Sequence, residues 1–203
     1  MSASTADRLA IHALMENWVL WRDARRWDDF RTLWHKDGRM SATWFQGSFE
    51  DFIKVSEEGF RNGVNIMHQL GATSADIRGT RAIAQSKMVI MQRAPVDGVA
   101  CDVSCFGRFY AFIEKRRSRW GIVWLQPIYE KDRIDPVDPA ATLKLDKKLL
   151  ARFPEGYRHL AYLQTRAGFK VKDDMPGRDG QALERLYTLG KAWLSGKADA
   201  LSL

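Results

Sequence analysis

The hydropathy period of this chain changes near Val64, from helical spacing to alternation, and that change constrains the fold most. Before it, Leu9, Leu14, Trp18 and Trp21 recur at helical spacing over residues 4–22, with Ser4 or Thr5 as the cap. Trp27, Phe30, Leu33 and Trp34 mark a second short helix over 27–34. Asp37-Gly38 reads as a turn and 39–45 as a strand. Ser48 to Asp51 resembles a capping box opening a third helix, which Asn62-Gly63 ends. After the change come four strands, over 64–76, 82–93, 99–114 and 120–133, and Pro136 and Pro139 then break the pattern. The order predicts an α+β domain over residues 1–139, a cone-shaped curved antiparallel sheet packed on the N-terminal helices. Eight tryptophans and ten phenylalanines in such a cone make an aromatic pocket, which suits a small apolar or aromatic molecule.

Residues 140–203 form a helical C-terminal extension, with short helices over 145–153, 157–166 and 181–195. Their apolar faces are too small for a core of their own. They are expected to dock on the cone, over the pocket mouth, or on a neighbouring subunit. The Trp193 side of the last helix is an expected contributor to a homo-oligomer contact, dimer or trimer.

Charge and cysteine content narrow the function classes. The net charge is +7, of which the extension supplies +5 from 12 basic and 7 acidic residues. The one dense basic cluster, Lys115 to Arg119, reads as a solvated hairpin turn, so no nucleic-acid partner is expected. No apolar run is long enough to span a bilayer, and the N-terminus lacks the pattern of a signal peptide, which points to a cytoplasmic protein with no membrane partner. Cys101 and Cys105 on one strand stand roughly 13 Å apart at the usual rise, too far for a disulfide. Two cysteines without a nearby histidine make a poor zinc site, and neither a phosphate loop nor a metal-ligand cluster is present, so no metal and no cofactor are expected.

Two residues carry the chemistry. Asp23 falls where the first helix ends, facing the negative end of the helix dipole, so a cation or donor should offset it: Arg22, Arg25 or Arg26 at the surface, or a histidine across the pocket. His68 shares a strand face with Ile66 and Leu70. A lone histidine there is commonly a hydrogen-bonded core residue; with a carboxylate on one nitrogen it is also a general base. Trp18, Trp44, Phe106, Tyr110 and Trp124 are the substrate-lining candidates, with Phe45 and Phe49 beside them.

The segments around Trp18, Trp21-Arg-Asp23, Trp27-Asp28, Met67-His68-Gln-Leu-Gly71, Gly107-Arg-Phe and Trp120-Gly-Ile122 together resemble the SnoaL-like branch of the nuclear transport factor 2 superfamily, over roughly residues 5–135. Similar members include scytalone dehydratase and hexachlorocyclohexane dehydrochlorinase. The resemblance implies a cone-shaped barrel and cofactor-free elimination by a His-Asp dyad, with Asp23 and His68 on the dyad positions. It implies a lyase, dehydratase-like, or an isomerase; the aromatic lining suits a small aromatic or alicyclic substrate, such as an intermediate of aromatic or terpenoid compound catabolism. The alternative is a non-catalytic small-molecule-binding or assembly protein of the same fold. Two departures stand out. Residue 22 is Arg where the dehydratase has Tyr, and the last strand, Trp124-Leu-Gln-Pro127, has no inward cation to assist a leaving group. That acid is left open among Tyr110, Asp102, Ser104 and Arg108.

Overall fold

Alternation from residue 65 onward lays down four long strands in the computed structural model, which describes residues 4–197 and 201. They are β3 (Asn65–Arg78), β4 (Arg81–Val96), β5 (Val99–Arg116) and β6 (Arg119–Pro136). Each pairs antiparallel with the next. Ahead of them lie α1 (Thr5–Asp23), α2 (Trp27–Thr32), β1 (Trp34–Ala42), β2 (Phe45–Ser48) and α3 (Phe49–Arg61). The caps are those the sequence offers: Ser4 accepts the Asp7 N–H and Ser48 accepts the Asp51 N–H.

The sheet has six strands in the order β2-β1-β6-β5-β4-β3, curved over the N-terminal helices. It is mixed, which corrects the purely antiparallel expectation: β1 runs parallel to β6. The whole meander separates these strands in sequence, so no hairpin dictates their relative direction. Two local expectations shift as well. Strand β1 begins at Trp34, and Asp37-Gly38 falls inside a register irregularity of that strand between Trp34 and Arg39. The chain then turns at Thr43-Trp44 and returns as the short β2.

Three helices follow β6: α4 (Lys147–Leu150), α5 (Arg158–Arg166) and α6 (Gln181–Leu194). They cover opposite faces of the chain's own sheet. On the concave face Tyr157, Leu160, Tyr162 and Leu163 join the core formed by α1, α2, α3 and the inner strand positions. Leu183, Leu186 and Trp193 of α6 join Tyr110, Phe112, Val123 and Ile128 on the convex face. Trp193 donates to the Ala82 and Ile113 carbonyls and lies under Arg81, so this side of α6 is spent within the chain rather than offered to another subunit. Gly190 permits the approach: a Cβ there would meet the Tyr110 hydroxyl at 1.9 Å. Both cysteines are buried and form no disulfide.

Candidate active site

Helix α1 delivers Asp23 at its last turn, and β3 brings His68 to meet it. One carboxylate oxygen accepts the His68 backbone N–H at 2.5 Å, and the other faces His68 Nδ1 at 2.9 Å. Arg22 Nη1 also donates to that second oxygen, at 3.1 Å. The offset for the helix dipole thus comes from both sources the sequence left open, a neighbouring arginine and the histidine. Arg25 instead lies over Phe60, and Arg26 pairs with Asp29.

Electrostatics fix the form of the ring. Burial pushes the Asp23 pKa up, but hydrogen bonds and charge from His68, with the Arg22 charge, outweigh it and hold the carboxyl below its ordinary value. For His68 burial dominates: its pKa lies below the ordinary 6.5, the Asp23 hydrogen bond opposing and the Arg22 charge reinforcing the shift. The pair is therefore carboxylate and neutral imidazole near neutral pH. An ionised carboxylate only accepts, so Nδ1 carries the proton and Nε2 presents its lone pair.

A void opens at the ring, lined by Trp18, Phe52, Ile90, Phe109, Tyr129 and Leu160 among others. Trp18 stands edge-on to His68 at 5.5 Å and 4.7 Å from Phe109. The void measures about 30 Å³ for the centres of water-sized spheres, room for about two waters as the side chains stand. Trp44 borders it, together with Thr43, Arg22 and Gln164.

Of the expected lining residues, Trp18 and Trp44 meet at this void and Phe106, Tyr110 and Trp124 do not. Alternation decides it: Phe109, Ala111 and Ile113 take the concave face of β5, whereas Tyr110 and Phe112 take the convex one. Trp124 stacks on Phe112 there, and Phe106 lies under Lys131 on an open groove. Of the suggested leaving-group acids, Tyr110 is under α6, Asp102 pairs with Arg93, and Arg108 pairs with Glu130. Ser104 shares the Asp102 face of the strand.

Sequence reasoning missed Tyr129, Gln164 and the inward course of Arg22. The Tyr129 hydroxyl accepts the Thr43 N–H at 3.2 Å, burial pushes its pKa far up, and it keeps its own proton. Gln164 comes from the extension, and its side-chain oxygen accepts from Thr43 Oγ1 at 2.6 Å. Two of the other histidines serve structure. His35 lies on β1, its Nε2 facing the Glu114 carbonyl. His159 meets buried Asp132, which accepts the His159 and Leu160 N–H groups at the start of α5. Among the described residues no group of three or more His, Cys, Asp or Glu side chains is placed to hold a metal.

The curved sheet over helices, with a carboxylate–imidazole pair at its hollow, defines a nuclear transport factor 2-like domain. The chain belongs to the SnoaL-like domain family, which matches residues 3–125. Over 202 residues it is 39% identical to a PEP2-like protein of Fusarium vanettenii and 37% identical to the pea pathogenicity protein 2 of that fungus, each match covering 94% of this chain and 87% of the relative. A solved hexachlorocyclohexane dehydrochlorinase of type 2 superposes with a TM-score of 0.56 at 12% identity, over 70% of this chain and 95% of that one, a likeness of fold.

Proposed function

We propose that the protein is a cofactor-independent lyase that eliminates H–X from a small aromatic or alicyclic substrate, with His68 as the base. The observation that carries this reading is the two-point hold of Asp23 on His68, which leaves a neutral Nε2 at an aromatic void. Nε2 takes the proton from a substrate carbon, and the C–H electron pair becomes the new double bond. The C–X bond breaks and X departs with its electrons. Where X is a hydroxyl, the imidazolium passes the abstracted proton on to it, so the net change is loss of H–X. Asp23 stabilises the imidazolium in between. Trp18 and Trp44 pack against the substrate. Phe106, Tyr110 and Trp124 have no part in this reading.

The test is mass loss of water or hydrogen halide from a panel of small cyclic alcohols and halides. Turnover in the wild type should fall about 10² to 10⁴-fold in His68→Ala with folding retained. Equal turnover in both proteins rules out the base assignment.

A second reading, ligand binding without turnover, draws support from the leaving-group acids the sequence suggested, since none of Tyr110, Asp102, Ser104 and Arg108 lines the void. It predicts a ligand that the wild type holds tightly and returns unchanged.

A further inference from the structure

A second void of similar size adjoins the first, and the two share Arg22, Trp44, Ile66 and Gln164. Its polar lining is unusual for a protein interior. Arg22 and Ser56 are each 4% exposed and Gln92 is 5% exposed. Arg22 Nε, Ser56 Oγ and Gln92 Oε1 have no hydrogen-bond partner among the described residues. Buried polar atoms are normally paired: Arg22 Nε and Ser56 Oγ can each donate to a group in the void, and the Gln92 amide, turned about its terminal bond, presents its NH2 there in place of Oε1. Gln164 adds to the set: Thr43 occupies its side-chain oxygen, which leaves its nitrogen as a donor.

Charge selects the kind of group. The Arg22 guanidinium carries five N–H groups. Its one side-chain acceptor among the described residues is the Asp23 oxygen that also holds His68, and its plane lies against Phe60 at 5.2 Å. A guanidinium so placed has capacity for a second anion, and a carboxylate takes its N–H groups in the geometry they favour. Ser56 and Gln164 supply further donors. On protonation of His68 the charge of a bound carboxylate is also offset from the first chamber.

We infer that this annex is a carboxylate-binding subsite formed by Arg22, Ser56, Gln92 and Gln164, so that the ligand carries a carboxylate beyond the cyclic body that lies against Trp18 and Phe109. The inference rests on the reading of the His68 void as the ligand chamber and adds the head group that the ligand bears.

The experiment titrates cinnamate and cinnamamide, a matched charged and neutral pair, into the full chain by tryptophan quenching. Wild type should prefer cinnamate by about tenfold or more. The preference should vanish in Arg22→Met and shrink severalfold in Ser56→Ala and in Gln92→Leu, each checked for folding by circular dichroism. The hydrogen bonds that hold Asp23 come from Arg22 and His68 rather than from these last two side chains, so they report on the subsite even if Arg22→Met does not fold. Equal or undetectable binding of both probes by the wild type overturns the inference, as does a preference that Ser56→Ala and Gln92→Leu leave unchanged. Setting this titration beside the turnover screen of the wild type separates the two readings. A retained carboxylate preference without any turned-over substrate removes the lyase and keeps the subsite. Turnover of neutral substrates without a carboxylate preference does the reverse.

Discussion

At the scale of single residues, the account rests on one ring held by one carboxylate. Burial depresses the His68 pKa below 6.5, so the base form persists into mildly acidic solution. The acid limb of kcat/KM should therefore fall below pH 6.5, and a limb at or above that value contradicts the burial. The sign for stability follows. As pH falls below 6.5 the unfolded chain binds the proton first, so His68 makes folding less favourable until its own lower pKa is passed. In Asp23→Asn one acceptor oxygen must serve where two serve now. That change should cost about 1–3 kcal/mol in denaturant unfolding, with reduced turnover, and an unchanged midpoint would show that the hold is not formed. Asp23 and His68 were legible because a helix end and a strand parity each place one side chain without tertiary knowledge. Arg22 was legible only as a neighbour of Asp23, since nothing local says that a guanidinium turns inward.

At the scale of elements, the strands were readable and their faces less so. In β5 the stretch from Phe109 to Ile113 is buried throughout, because α6 covers one face and the core the other. A strand buried on both faces loses its alternation, and Tyr110 then looks as pocket-facing as Phe109. The β1–β6 pairing was hidden for a different reason: strands distant in sequence have no turn chemistry to announce their register. The docking of α6 gives a sharp expectation. Gly190→Ala places a Cβ at 1.9 Å from the Tyr110 hydroxyl and should destabilise by about 1–3 kcal/mol through overpacking. Thermal unfolding checks it, and an unchanged midpoint would show that α6 is not seated on Tyr110. Because α6 lies on the convex face, across the sheet from His68, ligand affinity should change less than stability.

For the whole molecule, the last sixty residues bear on stability as well as on the site. Tyr157, Leu160, Tyr162 and Leu163 are each at most 1% exposed within the main core. At about 1.5–3 kcal/mol for each large apolar side chain, their burial is comparable to the whole net stability of a domain. A chain ending at residue 139 should therefore aggregate or unfold rather than survive as a smaller soluble particle. Light scattering and circular dichroism distinguish these outcomes, and a folded truncated chain would refute the shared core. The pattern of the extension gave its helices but not where they dock, so Gln164 could not be seen as a pocket residue. Its place beside Thr43 and Arg22 ties the extension to the hollow of the sheet.

Nitrogen-15 NMR of the His68 ring, followed through a pH titration, bears most directly on the proposed base. The account predicts a neutral ring at pH 7 with the proton on Nδ1, titrating below 6.5. A proton on Nε2, or a solvent-like titration at 6.5 or above, would contradict it.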